Sequence, residues 1–164
     1  MIQIFAAGIE HIDTIRQLAA SIWPIAYKEI LSSDQLNYML NEFYNSKAIE
    51  EQMLTKGHQF FIVQNQNNEA LGFASVSKEN SSVFKLQKLY VLTQYQGQHL
   101  GRKLLGRVND FCIENGGKCL ILNVNRYNKA IDFYQKQGFK IVSEVDIPIG
   151  NNYFMNDFVM ERNL

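Results

Sequence analysis

Proline is scarce in this sequence, with two in 164 residues, and no tract is of low complexity. A hydrophobic share of 46% and a charged share of 20% complete the exclusion of a disordered or linker-dominated chain. Neither sign of charge prevails: Lys and Arg total 16, Asp and Glu total 16. No global field therefore draws the chain to nucleic acid or to an anionic membrane, and any anion must be held by a local cluster. Only two cysteines occur. Cys112 on the apolar side of a helix and Cys119 at the start of an apolar run read as buried, reduced thiols, and no metal site is expected. No apolar run approaches the roughly 20 residues of a bilayer-spanning helix. The opening MIQIFAAGIEHID lacks the basic start and long apolar core of a secretory signal, so a cytoplasmic protein is expected. The length fits one domain over residues 1–164, enough to bury a real core.

Periodicity supplies the elements. Residues 2–6 read as a strand, and Ile12, Ile15, Leu18, Ala19 and Ile22 recur at helical spacing up to Trp23 and Pro24. Pro24, which has no N–H to donate, is expected to end or bend that helix. Ser33 or Asp34 can cap a second helix bearing Leu36, Met39, Leu40 and Phe43, and a third helix is expected over about 46–55, ending at Gly57. QFFIVQNQNNEALGFASVSK reads as a hairpin around residues 65–69. In VFKLQKLYVL the apolar parity slips: Phe84 and Leu86 define one face, Leu89 and Val91 the other. A β-bulge near Gln87-Lys88 would return all four to one face, and bulges often sit beside active sites. A helix from Leu100 stopped at Gly116-Gly117, the central strand CLILNVN, a short helix in NKAIDFYQKQGF capped by Gly138, and strands near 139–146 and 153–162 joined by IPIGNN follow. The result is a mixed α/β domain.

The stretch YQGQHLGRKLL, residues 95–105, is unusual. Acids are the ordinary choice in a helix's first turn, where the backbone carries partial positive charge and free N–H donors. Arg102 and Lys103 stand there instead, which is unfavourable unless an anion lies nearby. Glycines permit rare dihedrals and let a ligand approach the chain. Together these features describe a phosphate cradle; a tight strand-to-helix turn with solvated cations is the plainer alternative.

LYVLTQYQGQHLGRKLL resembles the strand, turn and helix of the GNAT family of acyl-CoA-dependent N-acetyltransferases, with the pattern Q/R-x-x-G-x-G/A aligning as Gln96-Gly97-Gln98-His99-Leu100-Gly101. NVNRYNKAIDFYQKQGF is similar to that family's Asn-x-Ala, Phe-Tyr, Gly-Phe helix, and NNYFMNDFVMERNL resembles its final strand. The resemblance covers residues 60–161. It implies an α/β (mixed α+β) fold with a central, mostly antiparallel, twisted sheet of six to seven strands flanked by helices. A helical substrate-side segment falls at about 11–57 and an acyl-CoA-binding core at about 59–140. One position departs: His99 stands where the family has its first fixed glycine. A side chain there narrows the approach to a pyrophosphate, and a protonated imidazole would add a donor.

The activity implied is transfer of an acetyl group from the cosubstrate acetyl-CoA to a primary amine of a small, polyamine-like molecule or a peptide, by direct attack. Such a step needs a neutral amine, donors for the carbonyl oxygen and a proton for the departing thiolate. By the resemblance, backbone N–H groups at Leu89, Tyr90 and Val91 polarise the carbonyl and pair with the pantetheine arm. Gln96 and Gly97 form the turn, the amides of Gln98, His99, Leu100, Gly101 and Arg102 hold the pyrophosphate, and Asn128 holds the pantetheine. Tyr134 contacts the cofactor and is the candidate general acid. Spacing alone makes Tyr134 a core residue beside Ala130 and Phe133, and Asn128 a helix cap. Many relatives carry a glutamate on the bulged strand, where this chain has Gln87, which cannot accept a proton but can position water or substrate. Tyr27, Glu29, His58 and Glu144 are candidate substitutes acting through water; the alternative is an amine that arrives already neutral. The acceptor site is expected around residues 23–43, with Trp23, Tyr27, Tyr38 and Tyr44 as aromatic surface and Glu29, Asp34 and Glu42 to attract a cation. No nucleic-acid or membrane partner is expected, and a homodimer through terminal strands is open.

Two other readings compete. A non-catalytic acyl-CoA-binding module is suggested by His99 and Gln87. A dinucleotide-binding turn would need a full G-x-G-x-x-G and an acid about 20 residues later, which Gly97-Gln98-His99 does not supply.

Overall fold

The run Phe60-Phe61-Ile62-Val63 is buried at every residue, and its side chains alternate between two separate cores. Successive strand residues point to opposite faces, so this strand is covered on both sides. The computed structural model describes residues 1–164 and shows that strand, β2 (Gln59–Gln64), within a seven-stranded sheet. The others are β1 (Gln3–Ala7), β3 (Ala70–Lys78), β4 (Val83–Val91), β5 (Cys119–Asn125), β6 (Lys140–Gly150) and β7 (Tyr153–Asn163), in the order β1-β2-β3-β4-β5-β7-β6. Only β4 and β5 run parallel; every other pair is antiparallel, as expected.

Five α-helices flank the sheet: α1 (Ile12–Ala26), α2 (Ser33–Phe43), α3 (Ser46–Leu54), α4 (Leu100–Glu114) and α5 (Ala130–Lys136). Leu104, Leu105, Val108 and Cys112 of α4 pack on Phe61, Ala74, Val76 and Phe84. On the opposite face, Ile15, Leu18, Ala19 and Ile22 of α1 and Ile49 of α3 pack on Phe60, Ile62 and Phe73. Each such side chain contributes about 1.5–3 kcal/mol when fully buried, so both faces are firmly held. No helix is long and apolar enough to cross a membrane.

Helix and strand ends differ from those expected. Pro24 neither ends α1 nor removes a critical bond: the helix continues to Ala26, and Tyr27 N–H donates to the Trp23 carbonyl at 3.0 Å. The carbonyl four residues before Pro24 belongs to Ala20, which is exposed, so the missing intrahelical bond falls on the solvent side. Ser32, not Ser33 or Asp34, caps α2, its Oγ accepting from Gln35 N–H at 3.2 Å. The IPI segment is strand, not loop. Asn151 and Asn152 both take positive φ, the requirement of a two-residue hairpin turn, and Pro148 is tolerated because β6 is an edge strand.

The bulge falls where the parity slip placed it. Leu86 pairs with Val76 and Lys88 with Ser75, leaving Gln87 opposite no residue. Beyond it Leu89 and Val91 rejoin the core of Phe84 and Leu86, while Tyr90 packs against the α1 side.

Candidate active site

The parallel pairing of β4 and β5 stops at Leu86 and Leu122, while β5 continues beside β7 to Asn125 and Asp157. Beyond the bulge, therefore, the edge of residues 87–91 that faces β5 has no strand partner. Two cavities meet at this opening. An outer one of about 1000 Å³ runs toward the start of α4, and an inner one of about 560 Å³ lies under α1, α2 and Tyr44. Both are of the size that holds small ligands. Leu89, Val91, Gln96, Asn128 and Tyr134 line both.

The outer cavity is made chiefly of backbone. Gln96, Gly97, His99, Leu100, Gly101 and Arg102 line it, with buried Leu100 anchoring the turn to the core. No backbone N–H from Gly97 through Arg102 donates to a backbone acceptor, so six donors are available at the positive end of α4. Gly97 has φ +81° and His99 φ +62°, both left-handed. His99 thus takes the conformation that glycine adopts freely, and the turn survives the substitution. Its side chain, like those of Arg102 and Lys103, is exposed. Gln98 is exposed and does not line the cavity.

Tyr134 stands on the shared wall. Its ring meets Phe133 and Phe139 edge-on at 5.3 and 5.7 Å, and burial raises its pKa, so the phenol keeps its proton at neutral pH. Both spacing-based and family-based expectations for Tyr134 are compatible with this placement. Asn128 likewise serves two ends: Oδ1 accepts from Ala130 N–H at 2.9 Å in the turn that leads into α5, while the residue lines both cavities.

The inner cavity is made of side chains. Trp23 packs 4.7 Å from Tyr27, 5.4 Å from Tyr44 and 5.8 Å from Tyr90 between ring centroids, and the hydroxyls of Tyr27 and Tyr90 lie 2.9 Å apart. Desolvation raises the pKa values of Tyr27, Tyr44 and Tyr90, leaving them neutral donors. Gln87 reaches this cavity with its Nε2 donating to Ser77 Oγ at 2.9 Å. His58 lines it too; burial, then the charges of Lys88, Lys56 and Lys85, lower its pKa to about 4, so it is a neutral imidazole.

Several expected residues lie elsewhere. Glu29 lines the outer cavity, not the inner one. Glu144 is exposed and accepts from Arg126 at 2.9 Å on the surface. Tyr38 donates to the Ile149 carbonyl at 2.7 Å, tying α2 to β6, and it does not line the inner cavity; nor do the exposed Asp34 and Glu42.

Two residues that line it escaped the sequence reading. Asp157 on β7 is buried, and desolvation raises its pKa against the opposing effects of Asn123, Lys85 and Arg126. Its signal is a single acid within a mainly apolar stretch of strand, YFMNDFVM. Lys88 turns to this face because the bulge shifts the register. Its Nζ lies 5.4 Å from the Tyr44 ring centroid and 5.8 Å from that of Phe60.

Comparison with known proteins bears on the family and the fold. Residues 28–148 match the family model described as an acetyltransferase (GNAT) domain. The chain is 27% identical over 154 residues to the uncharacterised N-acetyltransferase YuaI of Bacillus subtilis, covering 91% of this chain and 86% of that one. It is 24% identical to the spermidine N(1)-acetyltransferase of Thermoplasma acidophilum, covering 98% and 96%. The crystal structure of the PaiA N-acetyltransferase from Thermoplasma acidophilum in complex with coenzyme A superposes with a TM-score of 0.85 at 22% identity, over 100% of this chain and 99% of that one.

Proposed function

The chain belongs to the GNAT acetyltransferase family, and on that premise we propose that it transfers the acetyl group of acetyl-CoA to the primary amine of a small molecule or peptide by direct attack. The observation that carries this is the meeting of two cavities at Tyr134. One offers a pyrophosphate the free N–H donors of Gly97, His99, Leu100, Gly101 and Arg102, and the other is a separate, side-chain-lined chamber for an acceptor.

Acetyl-CoA, when bound, supplies an activated thioester carbonyl. The amides from Gly97 to Arg102 hold its phosphates, with Gln96 shaping the turn and Arg102 adding charge. The open edge at Leu89, Tyr90 and Val91 pairs with the pantetheine arm like an added strand and donates to the carbonyl oxygen as charge develops there. Asn128 closes the arm from the β5 side. Asp157 replaces the missing glutamate: it takes the proton that the amine loses as the N–C bond forms, and burial, which raises its pKa above the ordinary carboxylate value, makes it a stronger base than an exposed aspartate. Tyr134 gives a proton to sulfur as the C–S bond breaks. Gln87 and Tyr27 orient the amine, and Trp23 walls the chamber.

Calorimetric titration of acetyl-CoA, followed by a free-thiol assay with a panel of primary amines, tests this reading. Binding with amine-dependent thiol release is expected; binding without release from any amine leaves only a CoA-binding module. Tyr134→Phe should lower kcat by about 100-fold, within the usual range for acid–base groups, while acetyl-CoA affinity changes less than about threefold. Unchanged turnover would remove Tyr134 from the role.

A further inference from the structure

We propose that the acceptor amine also carries an anionic group, a carboxylate or a phosphate, which Lys88 and Lys56 hold in the inner cavity. This rests on the transferase reading above and names its substrate class.

The charge of the lining carries the inference. Lys56, Lys85, Lys88 and His58 face the inner cavity against one carboxylate, Asp157. The single charge of Asp157 can offset only one of these lysines, and Lys85 is among the cations that act on it. Lys56 meets only Glu51, at 4.0 Å in solvent. Lys88 has no ion-pair partner; its ammonium has only the faces of Tyr44 and Phe60. A half-buried ammonium without a counter-ion carries a desolvation cost, and ring faces offset only part of it. Burial, then the charge of Lys56, lowers the pKa of Lys88 to about 8. A bound anion would supply the missing partner. Nearby, Nδ1 of His58 is buried without a hydrogen-bond partner, a polar atom that the surrounding protein leaves unsatisfied.

The two charged ends are also separated. Asp157 is on β7 and Lys88 on β4, with β5 between them. An acceptor can therefore present its amine to Asp157 and its anion to Lys88. A polyamine would set a second ammonium against Lys88 and Lys56, where like charges repel.

Three four-carbon amines isolate the remote group: 4-aminobutyrate, n-butylamine and putrescine are anionic, neutral and cationic there. A second pair, 2-aminoethyl phosphate and ethanolamine, distinguishes phosphate from carboxylate. At least one anionic amine should exceed its neutral counterpart at least tenfold in kcat/KM, and putrescine should be the poorest. Lys88→Met keeps the apolar stem. It should lower kcat/KM for the favoured anionic amine at least tenfold more than for its neutral counterpart, mainly through KM.

Trp23 is the only tryptophan and lines the same cavity, so its fluorescence reads anion binding without turnover. Titration with succinate and, separately, inorganic phosphate should give a saturable change with at least one, weakened at least tenfold in Lys88→Met. Preferential use of putrescine, or equal use of all three four-carbon amines with no anion-dependent fluorescence change, overturns the inference while leaving the transferase reading intact. Saturable anion binding that Lys88→Met abolishes, with no thiol release from any amine, overturns the transferase reading and leaves the anion site standing. Should Lys88→Met fail to fold, the wild-type rank order and titrations decide alone.

Discussion

The outer and inner cavities share the wall at Tyr134 but are built of different material. The outer one presents backbone N–H groups over residues 97–102. Any residue except proline supplies such a donor, so what matters there is the path of the chain. The inner one presents Trp23, Tyr27, Tyr44, Lys88 and Asp157 from separate parts of the sequence, and each identity matters. Point substitutions should therefore injure the inner site more than the outer one, unless they alter the outer site's backbone path.

The largest effect is expected at Asp157. Asp157→Asn keeps the shape and removes the proton acceptor, so kcat/KM should fall by about 100-fold or more, and the acidic limb of the wild-type pH profile should vanish. Stability should move the other way. Burial holds the folded carboxyl's pKa above its ordinary value. Its contribution is therefore full at acid pH and is lost as pH rises through the folded pKa. The asparagine variant escapes that loss and should melt higher than wild type at neutral pH. A variant that melts lower with unchanged turnover would make Asp157 a structural residue.

An intermediate effect is expected at Gly97. Its Cβ position is open, with nothing within 4 Å, but its φ is +81°. Gly97→Val therefore tests conformation rather than space. Left-handed backbone costs a non-glycine residue about 1–3 kcal/mol, most for a β-branched one, so acetyl-CoA affinity should drop about tenfold. Gly97→Asn should lose less, because asparagine tolerates that region. Equal losses would mean that side-chain bulk, not backbone path, governs the outer cavity.

The same contrast explains what could be read from the sequence. The parity slip between Leu86 and Leu89 fixes a bulge because only an extra residue restores one apolar face, and the structure leaves Gln87 unpaired there. The turn of residues 96–101 was legible because backbone sites leave a local trace of glycines before a helix. The inner cavity leaves none. Asp157 gains its surroundings from the pairing of β5 with β7, a register between distant segments. Lys88 faces inward only because the bulge reverses its parity. Tyr38 looked like a cavity wall by composition, yet its hydroxyl is taken by Ile149. Glu144 looked like a base, yet Arg126 holds it on the surface. Ser32, Ser33 and Asp34 are three adjacent capping types, and composition does not choose among them.

The smallest effect is expected at His99, and it tests the comparison most sharply. Read as a side chain, His99 obstructs a position that the family keeps open; read as backbone, it already holds φ +62° and leaves its N–H free. Its ring is exposed and packs in no core. His99→Gly relieves left-handed strain of order 1 kcal/mol, while the freer unfolded glycine chain costs about 0.4–1 kcal/mol, so the two terms nearly cancel. Acetyl-CoA affinity should stay within about threefold and Tm within about 2 °C, by the usual conversion of such small free energies. A tenfold gain in affinity would show that the imidazole screens the cradle, and that the outer cavity, like the inner one, is tuned by a side chain.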